Sequence, residues 1–168
     1  MASKKGCILF DWGNTLMKVF PEYTGPMLHW PQVEAIPHAN EVLAELGAQW
    51  LTALATNAAD SDEAAIRGAL ARVDLDRLID RVYCSRAIGH KKPSAEFFDA
   101  VLRDLGVERS NVVMVGDDFE ADVLGANRSG IRAVWLNAVS EEIRFAEMYR
   151  TIHQLRELPC ALEESAQE

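Results

Sequence analysis

Five short apolar runs, at 7–10, 50–55, 81–84, 111–115 and 131–136, alternate with stretches of helical period, and that alternation leaves few folds open. Each run ends in a small or polar residue. Continuous apolarity of this kind fits strands buried on both faces, as in parallel sheets. The segments between them supply crossovers. Ala39, Val42, Leu43 and Leu46 recur at i, i+3, i+4 and i+7 before Gly47 closes that helix. Ile66, Leu70 and Val73 mark a second helix, with Asp60 and Glu63 as its capping box. Ser94 caps a third, carrying Phe97, Phe98, Val101, Leu102 and Leu105 until Gly106 stops it, and a fourth runs from Gly116 to near Gly130. The pattern predicts an α/β fold: a Rossmann-like three-layer sandwich around a mainly parallel sheet of about five strands.

The 168 residues read as a single domain, 1–168, with 49% apolar residues and no repeat or linker. Seventeen Lys and Arg against twenty-six Asp and Glu leave a net charge of −9, so no nucleic-acid partner is expected. Cys7, Cys84 and Cys160 are far apart with no CxxC pair, which suits a reducing compartment. Only four apolar residues separate Lys5 and Gly6 from Asp11, too few for a signal-peptide core, and no run reaches membrane-spanning length. The expectation is a cytoplasmic protein without a membrane partner.

Residues 12–32 break the alternation with Pro21, Gly25, Pro26 and Pro31 among Trp12, Phe20, Tyr23, His29 and Trp30. They read as a loop or flap after the first strand. The segment 140–168 reads as a mixed helical tail broken by Pro159, with a frayed polar end at 163–168.

Functional groups in open α/β sheets collect at the carboxyl ends of the strands. Those ends offer Asp11, Thr56 and Asn57, then Asp117 and Asp118, with Asp122 one helical turn further on. The loop after the third strand brings Lys91, Lys92 and Pro93. Carboxylates converging on one crevice repel one another unless a cation sits among them, and hard oxygen donors suit magnesium. A lysine and a hydroxyl beside such a metal clamp a phosphate, which points to phosphoryl transfer. A plainer reading stands beside this one: Asp117 with Glu120 also makes a capping box for the fourth helix.

In order along the chain, Phe10-Asp11-Trp12-Gly13-Asn14-Thr15-Leu16, Leu54-Ala55-Thr56-Asn57, Lys92-Pro93 and Val115-Gly116-Asp117-Asp118 through Asp122 resemble the four motifs of the haloacid dehalogenase superfamily. The likeness covers about residues 7–137. It implies that Asp11 is a nucleophile forming an aspartyl-phosphate, that Thr56 and Asn57 bind the phosphate, and that Lys92 neutralises the transferring group. It further implies Mg2+ held by Asp11, the Gly13 carbonyl and Asp117, with Asp122 orienting a metal-bound water or Lys92 and Asp118 lending minor support.

Two departures qualify the resemblance. The family's first motif usually has an aspartate where this chain has Gly13, so the carbonyl remains and the general acid is lost. His29, His38 or Glu22 could reach in from in or near the flap to stand in. Only about forty residues separate Asp11 from the second strand, so no cap domain is expected, and a second copy of the chain could cover the open site with Phe20, Tyr23 and Trp30. The resemblance therefore implies a magnesium-dependent phosphohydrolase, slow on substrates whose leaving group needs a proton. The alternative is a catalytically weakened protein that binds a phosphorylated ligand or partner. Phosphonoacetaldehyde hydrolases, which also lack the second aspartate, need a cap-borne lysine, and haloacid dehalogenases proper dispense with the metal that Asp117, Asp118 and Asp122 favour here.

Overall fold

The computed structural model describes residues 4–164. Five of its six strands fall on the apolar runs: β1 Cys7–Phe10, β2 Leu51–Thr56, β3 Arg81–Cys84, β4 Val112–Gly116 and β5 Arg132–Leu136. The sixth, β6 Tyr149–Ile152, lies inside the segment expected to be a helical tail. All neighbours are parallel, in the order β3-β2-β1-β4-β5-β6. The order reverses beside β1, so Asp11 and Asp117 leave adjacent strands where the crevice of a doubly wound sheet opens.

Alternate strand residues pack on opposite faces. Ile8, Phe10, Leu54, Val113 and Val115 meet α1 (Ala39–Gly47), α2 (Glu63–Ala71) and α6 (Leu158–Glu164). Cys7, Leu9, Ala53, Ala55 and Met114 meet α4 (Ala95–Leu105) and α5 (Gly125–Arg128). Burying each large side chain such as Phe97 or Leu70 contributes about 1.5–3 kcal/mol, and both lie fully inside. The short α3 (Ser85–Ile88) follows β3 and ends at Gly89 with φ +80°.

Two expected caps move by one or two residues. Asp62, not Asp60, accepts from the Ala65 N–H at 2.9 Å and begins α2. Asp118, not Asp117, accepts from the Ala121 N–H at 2.9 Å and begins a π-helical turn, Phe119–Leu124, that leads into α5. Sheet pairing holds the chain extended through Gly116, so Asp117 leaves the strand end and the next aspartate reaches the capping position.

The flap is anchored at both ends. The N–H groups of Thr15, Leu16 and Met17 converge on Trp12 O at 3.3, 2.9 and 3.1 Å. Lys18 N–H to Glu34 O and Ile36 N–H to Leu16 O, each 2.9 Å, then pair its two arms. Phe20, Tyr23 and Trp30 form an aromatic chain, the first pair tilted and the second edge-on, with centroids 5.5 and 5.6 Å apart, packed onto the core. Arg72 Nη1 donates to Leu28 O at 3.0 Å and Trp30 O at 2.7 Å, fastening the flap to the end of α2. These aromatics thus serve the flap's own packing.

In the tail, the Thr151 hydroxyl donates to Arg144 O at 2.7 Å and accepts from Arg144 N–H at 2.8 Å, binding the segment before β6 to that strand. Pro159 sits within α6 at its start, where its missing N–H costs nothing. Beyond Glu164 the expected frayed end lies outside the described residues. No helix among those residues is long and apolar enough to cross a membrane.

Candidate active site

Asp11 is the first residue beyond β1, and its N–H donates to Val115 O at 2.8 Å. That bond holds it at the seam between β1 and β4. Lys92 reaches it from the loop after α3, its Nζ 2.9 Å from Asp11 Oδ1 and 2.6 Å from Asp122 Oδ1. The Lys92 and Asp122 side chains are 2% and 1% exposed. Burial works against the Lys92 ammonium, yet the carboxylates of Asp11 and Asp122 prevail and hold its pKa above the ordinary lysine value. The lysine is charged.

Three contacts fix that lysine. Asn57 Nδ2 donates to Lys92 O at 2.8 Å, and Lys92 N–H donates to Asn57 Oδ1 at 2.8 Å. Each end of the amide that the resemblance assigns to the phosphate makes one bond to the lysine backbone, and the second Nδ2 N–H remains for another partner. On the far side, Asp122 Oδ2 accepts from Asp118 N–H at 3.1 Å while Oδ1 takes the ammonium. Gly125 brings α5 close enough that a Cβ there would lie 2.9 Å from Pro93 Cα.

Asp117 leaves β4 beside Asp11. Its carbonyl accepts from Trp135 Nε1 at 2.9 Å, and its Oδ1 takes a long 3.4 Å bond from the Thr15 hydroxyl. Burial, then the negative charge of Asp11, push its carboxyl up to about 7. The same two causes, against the pull of Lys92, push Asp122 up to about 7. Oxygens of Asp11, Asp117 and Asp122 lie within 4.8 Å of one another. Three carboxylates face one ammonium, and the unmet negative charge adds to burial in raising Asp117. A hard divalent cation fits this oxygen set, and since both Asp122 oxygens are engaged, Asp11 and Asp117 are the carboxylates left to hold it.

Thr56, at the end of β2, is buried and its hydroxyl accepts from Ala58 N–H at 3.1 Å. It lines the cleft in front of Asp11 together with Gly13, Asn57 and Asp60. Of the flap-region acids and bases named as stand-ins, none lines this cleft; Asp60 does, and nothing in its sequence setting distinguishes it from a turn or capping residue. Trp135 also escapes a reading of the sequence, since it acts through a fold contact and not a motif, whereas Thr15 stands in the first motif with no role that the sequence assigns.

A parallel sheet with a carboxylate–lysine centre at its switch point defines a Rossmann-like α/β protein with a charged crevice. The chain belongs to the haloacid dehalogenase-like hydrolase family, whose model matches residues 8–136. It is 35% identical over 111 residues to a ribulose-1,5-bisphosphate 5-phosphatase of Halopiger xanaduensis, covering 66% of this chain and 45% of the relative. It is 35% identical over 96 residues to the pyrimidine 5'-nucleotidase YjjG of Escherichia coli, covering 54% of this chain and 43% of that one. The match thus spans less than half the length of these curated relatives. A crystal structure of an uncharacterized protein from Listeria monocytogenes serotype 4b superposes with a TM-score of 0.83 at 27% identity, covering 97% of this chain and 99% of the other.

Proposed function

We propose that this chain is a magnesium-dependent phosphohydrolase in which Asp11 is the nucleophile. The observation that carries the reading is the charge arrangement at the switch point: a part-buried carboxylate, Asp11, paired to a buried ammonium and flanked by Asp117. The phosphatase names of its relatives favour the same class of reaction. A bound magnesium ion, held by Asp11, Asp117 and the Gly13 carbonyl, would supply positive charge for a phosphoryl oxygen and relieve the repulsion between the two carboxylates.

The chain's own groups do the rest. A carboxylate oxygen of Asp11 attacks phosphorus as the bond to the leaving oxygen breaks, and the leaving group departs with the electron pair. Lys92 balances the negative charge on the transferring group, held in place by Asn57 and Asp122. Thr56 lines the same cleft, where its hydroxyl would contact a phosphoryl oxygen. Water then attacks phosphorus, releasing phosphate and restoring Asp11. Gly13 brings no proton to either step, so the leaving group draws its proton from solvent. General acid–base catalysis is worth typically about 10²–10⁴-fold, and the reaction on alkyl esters is slowed by that order.

Hydrolysis of acetyl phosphate and p-nitrophenyl phosphate, neither of which needs much protonation on leaving, tests the reading. Release that requires Mg2+, stops with chelator and is abolished by Asp11→Asn is the expected result. The lack of an acid at Gly13 is what favours the second reading, a protein that binds a phosphorylated ligand without useful turnover. No release from either substrate by a protein that binds Mg2+ would overturn the first reading and favour the second.

A further inference from the structure

The cleft in front of Asp11 has two unlike parts. Its floor holds Asp11, with Lys92 bonded beneath. Its walls are Trp12, Val19, Met27 and Trp30, with Asp60 at the rim, and the cleft, open to solvent on one side, has a volume of about 260 Å³. A cavity of roughly 150 Å³ holds one benzene ring, so this space takes a phosphoryl group and about one ring or its aliphatic equivalent.

The two tryptophan walls are fixed in place by bonds of their own. Trp30 Nε1 donates to Gly25 O at 3.0 Å, Arg72 grips Trp30 O at 2.7 Å, and Tyr23 packs edge-on against the Trp30 ring at 5.6 Å. Trp12 Nε1 is turned onto Met17 Sδ at 3.2 Å. Polar atoms of both tryptophans are thereby occupied, and the wall they make is apolar. Gly13 adds room: a Cβ there would come within 2.8 Å of Val19 Cγ2, on the wall itself.

The charges lining the cleft are all of one sign. Among the described residues that line it, Asp11 and Asp60 are charged, and none is Lys, Arg or His. The Lys92 ammonium is already shared between Asp11 and Asp122. A second anion on the leaving group, beyond the metal that binds the phosphoryl end, would lie against apolar walls and meet only Asp60 among the charged side chains of the lining. A cation would find Asp60 and aromatic rings.

We infer that the cleft selects a compact leaving group with an apolar body and no negative charge, uncharged or cationic, and rejects one carrying a carboxylate or a second phosphate. This rests on the phosphohydrolase reading. The test uses the full chain with Mg2+ and three esters: phenyl phosphate, and 4-(aminomethyl)phenyl and 4-(carboxymethyl)phenyl phosphate, whose added charge is insulated from the phenol by a methylene. Each is measured for kcat/KM and as a competitive inhibitor of acetyl phosphate hydrolysis, so the order is read even where turnover is slow.

The carboxymethyl ester is expected at least about tenfold below the phenyl ester, because its charge is desolvated without a partner. The aminomethyl ester is expected to exceed the phenyl ester by about two- to fivefold, the range of a solvent-exposed ion pair. Asp60→Asn, at an exposed position, removes the cation's advantage. Equal values for the three esters, alongside acetyl phosphate turnover, overturn the inference alone. No hydrolysis of acetyl phosphate overturns the reading beneath it, and the inference with it.

Discussion

Gly116 and Asp122 touch so closely that no side chain fits between them: a Cβ on Gly116 would lie 2.7 Å from Asp122 Cβ and nearer still to its carboxylate. The strand end is therefore bare so that the carboxylate can reach Lys92. Gly116→Ala is expected to drive Asp122 off the ammonium, lowering stability by about 1–3 kcal/mol as overpacking does. Acetyl phosphate hydrolysis should fall with it. Urea unfolding and the rate together check this; an alanine variant with native stability and rate would show that Asp122 does not position Lys92.

Asn57 is expected to act through Lys92 and not through the phosphate. Asn57→Ala leaves the Lys92 N–H and carbonyl in a part-buried loop without the partners they had, at a cost of about 1–3 kcal/mol. The lysine is loosened where charge develops, so kcat should drop while KM changes little. Asn57→Asp keeps the acceptor and loses the donor, and should fall between wild type and the alanine variant. A variant whose KM rises with kcat unchanged would return Asn57 to the phosphate.

The residues legible in the sequence are those whose signal is local. Apolar runs mark β1 to β5 to within a residue, and Ser94 does cap α4, accepting from Phe97 N–H at 3.3 Å. Tyr149–Ile152 carries no such signal, because it is short and half-exposed, and its partners are β5 and the Thr151 hydroxyl's bonds to Arg144. Asp117 and Asp118 cannot be told apart by type. Only the length of sheet pairing decides which of them faces Asp11 and which caps the turn. The Asn57–Lys92 amide pair joins residues 35 apart, a contact that no spacing rule reports.

Asp118 should matter to stability and little to chemistry. It caps the turn through Ala121 N–H at 2.9 Å, and removing such a cap costs about 0.5–2 kcal/mol. Asp118→Ala is expected to lower the Tm by a few degrees with kcat/KM within about threefold, and Asp118→Asn to restore the Tm. Thermal melts and acetyl phosphate kinetics separate this from a part in the reaction, where Asn would leave the activity low.

The acid cluster should give the metal-free chain an inverted pH dependence. Asp117 and Asp122 are held up to about 7 in the fold, against an ordinary carboxylate near 4 unfolded. Between those values the folded chain binds more protons than the unfolded one, so stability falls as the pH rises from about 4 to about 7 and levels off above. Mg2+ competes with those protons, so its stabilisation should grow over the same window. At a hundred times its Kd the ion adds about 2.7 kcal/mol, or roughly 5–10 °C in a chain of this size. Asp117→Asn should flatten the pH profile and shrink the Mg2+ shift; a wild-type Tm that rises from pH 5 to 7 in chelator would contradict the assignment.

Gly13 is the position where adding a group should help. A Cβ there meets only Val19 Cγ2, on a side chain exposed enough to turn aside, so Gly13→Asp should fold with little loss. The new carboxyl would stand at the cleft wall, where a leaving oxygen can take its proton. Alkyl phosphate hydrolysis should then rise by about 10²-fold or more, while acetyl phosphate, whose leaving group needs no proton, changes little. The two substrates divide the explanations. A gain on both would mean that the added carboxylate improves metal or phosphate binding. No gain on the alkyl ester, in a variant with a native Tm, would mean that the missing acid is not what limits this chain. The distinction is clean because Asp11→Asn on the same background should abolish whatever gain appears.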